Sequence, residues 1–199
     1  MNVRPRHVYV HVPFCRHRCG YCDFTLVAGR DDLVERYLAA IQKESERIET
    51  PLEIDTLYLG GGTPSHLGPA GLQRLFELLS QRCVYAPGCE VTVEANPLDV
   101  TKDFANAVLA CGVTRISLGS QSLDAATLRV LDRDHAPDDV RQAMGLLREA
   151  GLVVNLDVMT AAPGQSLASV EQDLAAVLAL EPEHLSVYCL TWEKGTAFE

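Results

Sequence analysis

The sequence predicts an α/β fold, a partial (β/α)6 barrel of the TIM type, from three observations. Runs in which every second residue is apolar alternate along most of the chain with runs of helical periodicity. Six such strand–helix steps imply a parallel sheet with right-handed crossovers. Glycines and polar residues follow the ends of successive strands, and this edge of a barrel is where active sites lie.

Six strands are predicted, and in most of them apolar side chains lie on one face and polar side chains on the other. In the first strand, Val8, Val10 and Val12 oppose Tyr9 and His11. Helices must cover the apolar faces, which leaves a polar lumen, and buried polar groups need partners. The lumen therefore indicates a polar ligand or cofactor, while an open sheet with one wet face is the alternative. The strands are His7–Val12, Asp55–Leu59, Glu90–Ala95, Thr114–Leu118, Val153–Met159 and His184–Leu190.

Six helices are predicted between the strands from apolar residues at helical spacing. Thr101 occupies the N-cap position of the third helix, and Pro182 follows the end of the sixth. The helices are Asp31–Glu49, Ala70–Gln81, Thr101–Cys111, Asp124–Leu131, Asp138–Ala150 and Gln165–Leu180.

Composition and charge restrict the class of protein. The 199 residues are 47% hydrophobic and 22% charged, as in an ordinary soluble domain, and we expect one domain over residues 1–199. The formal net charge of −10 argues against nucleic acid or an anionic membrane surface as a partner. No apolar run of about 18 residues could cross a bilayer, and residues 1–7 lack the apolar segment of a signal peptide. We therefore expect a cytoplasmic protein with no integral membrane segment.

Three of the seven cysteines, Cys15, Cys19 and Cys22, lie within eight residues shortly after the first strand. Three thiolates at these spacings can wrap one small metal cluster. Iron–sulfur clusters normally have four cysteine ligands, so a fourth iron would be open to a substrate or cofactor. Structural zinc, with His11 or His17 as the fourth ligand, and incidental thiols are the alternatives, although the second paired half-site of many zinc modules is absent.

The later strands end in glycines and polar residues that indicate one shared site. The second strand is followed by Gly60-Gly-Gly-Thr-Pro64, where glycines would let a ligand approach the backbone closely. A tight turn is the alternative explanation of these glycines. The other candidates are Glu94, Asn96, Gln121, Asp157 and Arg133, the last of which is placed in a short helical segment.

The remaining cysteines are scattered, and in a reducing compartment we expect them to be unpaired. We interpret all four as structural, with Cys83 and Cys89 flanking a short loop, Cys111 at a helix end and Cys189 on a helix-facing strand position. His135 and His184 are interpreted as ordinary polar residues rather than ligands.

Together the motifs resemble a known family. C-x-x-x-C-x-aromatic-C after a first strand, followed by a glycine-rich motif after the second, is similar to the radical SAM superfamily. Within it, the chain resembles the oxygen-independent coproporphyrinogen III oxidases and the HemW-like haem chaperones. The segments that carry this resemblance are Tyr9-Val-His-Val-Pro-Phe-Cys15, Cys19-Gly-Tyr-Cys22-Asp-Phe24, Gly60-Gly-Gly-Thr-Pro64, Glu94-Ala-Asn-Pro97, Leu118-Gly-Ser-Gln121 and Pro182-Glu-His-Leu-Ser186.

The resemblance implies a 4Fe-4S cluster and S-adenosylmethionine as cofactors. Cys15, Cys19 and Cys22 would ligate three irons, and the amino and carboxylate groups of S-adenosylmethionine would chelate the fourth. One electron, from a reductant such as flavodoxin or ferredoxin, would cleave the sulfonium to methionine and a 5′-deoxyadenosyl radical. The residues expected to contact S-adenosylmethionine are Tyr9, Tyr21 near the adenine, Gly61, Gly62, Thr63, Glu94, Gln121, Arg133 and Asp157.

Phe24 favours the HemW-like branch, because the oxidase typically has a fourth cysteine at that position, two residues after the third. The resemblance then implies haem binding, with haem held by the full-length protein and passed to a haem-accepting respiratory protein. Radical decarboxylation of a porphyrinogen and a structural zinc module are the alternatives. No residue is assigned a catalytic role beyond the cofactor contacts.

The sequence departs from the family pattern in two places. The segment Asp157-Val-Met-Thr-Ala-Ala-Pro-Gly-Gln165 lacks an aromatic residue and a glycine that the family has near the site. The chain also ends at Glu199, soon after the sixth strand. We therefore expect that the C-terminal part of the family fold, with the His-rich haem-associated motif of HemW-like members, is missing.

Overall fold

The computed structural model describes residues 4–198, and most of its strands form one six-stranded parallel sheet. The strands of this sheet are β1 (His7–Val12), β4 (Leu52–Gly61), β5 (Cys83–Ala95), β6 (Arg115–Gln121), β7 (Val153–Thr160) and β8 (His184–Cys189). A separate parallel pair is formed by β2 (Phe14–Cys15) and β3 (Val27–Ala28). The order in the large sheet is β1-β4-β5-β6-β7-β8. Within the large sheet, each strand therefore lies beside the strand of that sheet that follows it in the sequence, as the alternation of strands and helices predicts. β1 and β8 are the edges of a partial barrel.

At least one helix connects each pair of neighbouring strands in the large sheet. The third begins as predicted: Thr101 Oγ1 accepts a hydrogen bond from Phe104 N at 3.1 Å, which satisfies one of the free amides of the first turn. Short 3-10 turns precede three of the helices, at residues 31–33, 64–67 and 97–99. The helices are α1 (Val34–Ser45), α2 (Gly68–Ser80), α3 (Lys102–Ala110), α4 (Ala125–Val130), α5 (Pro137–Glu149) and α6 (Leu167–Leu178).

Two strands begin earlier than the sequence pattern predicts. β4 and β5 already pair from Leu52 and Cys83, and their register shifts before the second paired stretch begins at Thr56 and Glu90. The prediction that Cys83 and Cys89 flank a loop is therefore wrong, because β5 runs through both. Pro and Gly between them are typical turn residues, and only the pairing with β4 shows that the strand continues.

The hydrophobic core lies between the sheet and the helices. Val10, Val12, Val91 and Val93 are almost fully buried in it, while the opposite face of the strands carries polar side chains. In β8 the apolar face is not fully covered, because Val187 on that strand is 50% exposed. The polar lumen is confirmed.

The polar side chains of the lumen are buried and paired with one another. Thr92, Ser117 and Asn155 are at most 4% exposed. Asn155 Nδ2 donates to Ser117 Oγ at 2.8 Å and to Asp157 Oδ1 at 2.8 Å. These bonds offset the cost of burying the amide and hydroxyl groups.

In the part of the chain that the structure describes, no helix has both the length and the apolar character needed to cross a membrane.

Candidate functional site

A cavity of about 390 Å³ opens at the carboxyl ends of the strands. The parallel arrangement brings these ends to one edge of the sheet, so residues far apart in sequence share its walls. The cavity collects Cys15, Cys19 and Cys22 together with eight of the nine residues expected to contact a cofactor, namely Tyr21, Gly61, Gly62, Thr63, Glu94, Gln121, Arg133 and Asp157.

Tyr9 is the one predicted contact that does not line this cavity. It is 58% exposed, and its hydroxyl lies 3.2 Å from His11 Nδ1. Its ring stacks on Tyr58, with ring centroids 6.0 Å apart, because the two residues are opposite each other in the register of β1 and β4. A second, smaller cavity holds Tyr9 and shares Gly61 and Glu94 with the main one.

The three cysteines of the first loop carry free thiols that face the cavity. Cys15 Sγ lies 3.1 Å from Thr63 Oγ1, and Arg133 Nη1 donates to Cys19 Sγ at 3.4 Å. Burial raises the pKa of the Cys15 and Cys22 thiols above its ordinary value.

Among residues 4–198, no group of three or more His, Cys, Asp or Glu side chains is arranged to hold a metal ion. A zinc ion and an iron–sulfur cluster would both need the three thiols drawn together around them.

The cysteine loop is held in shape by its own basic residues. Arg18 donates hydrogen bonds to the carbonyl oxygens of Cys22, Phe24 and Leu26 at 2.9–3.2 Å. Arg16 and His17 instead bind residues that follow later strands: Arg16 Nη2 lies 3.3 Å from Asp99 Oδ1, and His17 Nε2 lies 2.9 Å from the carbonyl oxygen of Asp132. The loop is therefore fixed both to itself and to the barrel.

The glycines after β4 are required by contacts within the protein. A Cβ on Gly60 would lie 2.9 Å from Glu94 Oε1, and one on Gly62 would lie 2.7 Å from the carbonyl oxygen of Phe14. Gly61 has φ = +120°, a value that side chains disfavour, and its amide donates to Glu94 Oε2 at 3.1 Å. The absence of side chains thus lets β4 approach Glu94 and the cysteine loop.

Two half-buried carboxylates, Glu94 and Asp157, project into the cavity from β5 and β7. Glu94 accepts a hydrogen bond from the Tyr58 hydroxyl at 2.8 Å in addition to that from Gly61. Asp157 accepts from Ser117 Oγ at 2.9 Å as well as from Asn155. Burial raises the pKa of both carboxyl groups above its ordinary value, and these hydrogen bonds oppose that effect.

Arg133 lies in the loop between α4 and α5, so its predicted place in a helix is wrong. α4 ends at Val130, and Asp132 adopts φ = +54°, a left-handed conformation that ends helices. The guanidinium also donates from Nη2 to the carbonyl oxygen of Gly119 at 3.1 Å. Its Nε is buried without a hydrogen-bond partner, which leaves one charged donor unsatisfied at the cavity wall.

The structure adds residues that the sequence did not indicate as part of the site. Tyr58 lines the cavity, and its position between the buried Leu57 and Leu59 was the available signal. Cys189 also lines the cavity and is exposed, so its predicted helix-facing position is wrong. It is the last residue of β8, at the edge where the cavity opens.

The two histidines interpreted as ordinary polar residues lie outside the cavity lining. His135 is buried with Nε2 3.0 Å from the Ser120 carbonyl oxygen, and its Nδ1 has no hydrogen-bond partner and lies 4.0 Å from Asp134 Oδ1. Burial, together with the nearby Arg133 charge, lowers the pKa of His135 to about 4. His184 Nδ1 lies 2.7 Å from Arg115 Nη2.

Comparison with known proteins identifies the type of domain. The family model of the radical SAM superfamily matches residues 9–177. The chain is 39% identical over 204 residues to the heme chaperone HemW of Mycobacterium tuberculosis H37Rv, covering 99% of this chain and 52% of that protein. It is 37% identical over 204 residues to heme chaperone HemW of Escherichia coli K12, covering 100% and 54%. The chain thus spans about half the length of these relatives.

Solved structures are similar in the same region. Coproporphyrinogen III oxidase (HemN) from Escherichia coli, described as a radical SAM enzyme, superposes with a TM-score of 0.88 at 28% identity, covering 94% of this chain and 44% of that one. The radical S-adenosylmethionine methyltransferase TsrM from Kitasatospora setae gives a TM-score of 0.69 at 16% identity, covering 96% and 38%, a likeness of fold alone.

Proposed function

The chain belongs to the radical SAM superfamily, and from this premise we propose that its cavity holds a 4Fe-4S cluster on Cys15, Cys19 and Cys22 with S-adenosylmethionine beside it. One observation carries the proposal: three free thiols, two half-buried carboxylates and the guanidinium of Arg133 line the same cavity. The family implies these cofactors, and the residues that would bind them are our assignment.

The thiols have the chemistry that an iron–sulfur cluster requires. Thiolate is the usual protein ligand of such clusters, and the three cysteines lie on one loop with Arg18 fixing its carbonyl groups. Metal binding would remove the thiol protons, which offsets the cost of ionising buried groups. Thr63 and Arg133, beside Cys15 and Cys19, would donate hydrogen bonds to the sulfurs.

The charges of the cavity are complementary to S-adenosylmethionine. The ligand has a carboxylate, an amino group and a positively charged sulfonium. Arg133 places a positive charge at the cavity wall for an anion, and Glu94 and Asp157 offer carboxylates for cationic groups or hydroxyls. Opposite charges on the ligand would compensate for burying these side chains.

When bound, the cluster and S-adenosylmethionine supply one-electron cleavage of the sulfonium, and the chain supplies orientation and exclusion of water. Glu94 and Asp157 are positioned by neutral donors, so they remain available to the ligand. A small apolar cluster of Leu131, Met159, Ala162 and Leu190, with Tyr21 and Phe198 packed against it, closes one side of the site to water.

For the whole protein we propose haem binding and transfer, as in the HemW-like relatives. The identities of 37–39% to proteins named heme chaperone HemW support this branch. Phe24 also supports it, because it occupies the position of the oxidase's fourth cysteine and is 63% exposed. The likeness to HemN favours the second candidate, radical decarboxylation of a porphyrinogen.

Anaerobic reconstitution tests the cofactor site. With iron and sulfide, the protein should take up about four irons per chain and give an electron paramagnetic resonance signal that changes when S-adenosylmethionine is added. Cys15→Ser, Cys19→Ser and Cys22→Ser should each lose most of the iron, while Cys111→Ser, outside the cavity, should keep it. One zinc per chain, or iron retained in all three variants, would contradict the proposal.

Haem titration and product analysis separate the two functions. The full-length protein, reconstituted with cluster, should bind haem with a saturable change in the Soret absorption and should leave coproporphyrinogen III unchanged. Decarboxylation of coproporphyrinogen with formation of 5′-deoxyadenosine would instead establish the oxidase activity.

A further inference from the structure

Gln121 stands at the end of β6 in a strained conformation that displays its carboxamide in the cavity. Its φ is +59°, and the amide of Ser122 donates to the carbonyl oxygen of Ser120 at 2.7 Å. An i to i+2 bond across a residue with positive φ forms a γ-turn of the rare, strained kind. Residues other than glycine keep such conformations only where their surroundings enforce them.

The carboxamide itself is free. Gln121 Nε2 lies 3.2 Å from the position that a Cβ on Gly119 would occupy, and the side chain lines the cavity. Its carboxamide takes part in none of the hydrogen bonds found among residues 4–198. The turn is therefore not held by the side chain that it displays.

A buried carboxylate on α6 holds the turn from the far side. Asp173 is 5% exposed and does not line the cavity. Its Oδ2 accepts from Ser122 Oγ at 2.5 Å, and its Oδ1 accepts from Leu123 N at 2.7 Å. Both oxygens are thus bound to the two residues that follow Gln121.

The segment before Gln121 is fixed as well. Ser120 is fully buried, and its Oγ donates to the carbonyl oxygen of Asp157 at 2.7 Å. Its own carbonyl oxygen also lies 3.0 Å from His135 Nε2. With Ser120 tied to β7 and Ser122 tied to α6, Gln121 has little freedom to relax.

We propose that Asp173 is a positioning residue for S-adenosylmethionine binding: by holding Ser122 and Leu123 it keeps the strained turn that presents Gln121 to the cavity. This inference rests on the proposed function of the cavity. Asp173 touches no cofactor and acts only through Gln121.

Paired variants test this dependence in the cluster-reconstituted protein, with the dissociation constant of S-adenosylmethionine measured by equilibrium dialysis. Asp173→Asn keeps the shape but has one acceptor oxygen for two donors, and should weaken binding by about tenfold, because only the fraction of molecules with the turn formed binds fully. In the Gln121→Ala background the same change should have no further effect. Glu171→Gln, the same chemical change at an exposed position of α6, should bind like the unaltered chain.

Two results would overturn the inference. One is equal binding by Asp173→Asn and the unaltered chain. The other is a loss in the double variant equal to the product of the two single losses, since a general structural role would act independently of Gln121. If Asp173→Asn does not fold, Ser122→Ala replaces it, with the same expected dependence on Gln121.

A crystal structure of the cluster-free Asp173→Asn protein decides the matter without S-adenosylmethionine. Gln121 should leave the left-handed region and its carboxamide should move away from Gly119. An unchanged turn would overturn the inference, whereas failure of the unaltered, reconstituted chain to bind S-adenosylmethionine would overturn the proposed function instead.

Discussion

At the scale of single residues, three charged groups that line the cavity have neutral hydrogen-bond partners. Glu94 is bound by a hydroxyl and a backbone amide, and Asp157 by a hydroxyl and a carboxamide. Arg133 contacts a thiol and a carbonyl oxygen. Buried charges that lack an opposite charge are costly, so a ligand with both positive and negative groups would stabilise this site.

Protonation of His135 should make the folded state sensitive to acid. Its folded pKa of about 4 lies below the ordinary value, so the unfolded chain binds one more proton between about pH 4 and pH 6.5. The stability contributed by this residue is therefore present above about pH 6.5. It is lost as the pH decreases, by about 2 kcal/mol between pH 7 and pH 5.

Urea unfolding at pH 7 and pH 5 measures this effect in the cluster-free protein. His135→Gln keeps a donor for the Ser120 carbonyl oxygen and removes the titrating group. Its loss of stability between the two pH values should be about 2 kcal/mol smaller than that of the unaltered chain. Equal losses in both proteins would show that His135 does not titrate as described.

At the scale of elements, the carboxyl ends of β6 and β7 leave the sheet through left-handed residues that are not glycine. Gln121 ends β6, and Ala161 directly follows β7 with φ = +62°. The glycine that the family pattern has in the segment Asp157–Gln165 falls at position 161, where this chain has alanine. The positive φ gives the physical reason for that glycine, since a Cβ makes this conformation unfavourable by about 1–2 kcal/mol.

Ala161→Gly should therefore stabilise the protein. We expect the free energy of unfolding to rise by about 1 kcal/mol, because relief of the strain exceeds the extra entropy of glycine in the unfolded chain. Ala126→Gly, within the exposed part of α4, should lower it by about 1 kcal/mol. Chemical denaturation of the two variants checks both signs, and destabilisation by Ala161→Gly would contradict the strain.

At the scale of the whole molecule, the cysteine loop contacts the last described residues of the chain. The ring of Phe198 lies 6.4 Å from that of Tyr21, centroid to centroid, and a Cβ on Gly20 would meet Phe198 Cε1 at 2.7 Å. Both aromatic rings pack against the apolar cluster beside the cavity. A segment nearly 180 residues away in sequence thus covers the loop that carries the three thiols.

Phe198→Ala should loosen this loop. In the reconstituted protein we expect an iron chelator to remove iron several-fold faster, because local opening of the loop becomes more frequent. Leu167→Ala, which removes a side chain that is 75% exposed, should leave the rate unchanged. Equal rates in all three proteins would show that the contact does not protect the site.

The sequence by itself determined the strand–helix order, the polar lumen and several of the residues that line the cavity, because strand periodicity and cysteine spacing are local patterns that the chain carries directly. The alternation in β1, β5 and β7 placed Glu94 and Asp157 on the inner face, and the parallel topology then brought them beside the three cysteines. Thr101 was recognisable as a helix cap for the same local reason.

Only the tertiary structure decided the remaining features, because they depend on contacts between distant segments. Pairing with β4 carries β5 through a Pro-Gly pair, and the register of β1 and β4 places Tyr9 on Tyr58 rather than in the main cavity. The bonds from Asp173 to Ser122 and Leu123 join α6 to the end of β6 across 50 residues of sequence. A local sequence pattern cannot predict that a buried carboxylate on one element binds the backbone of another element.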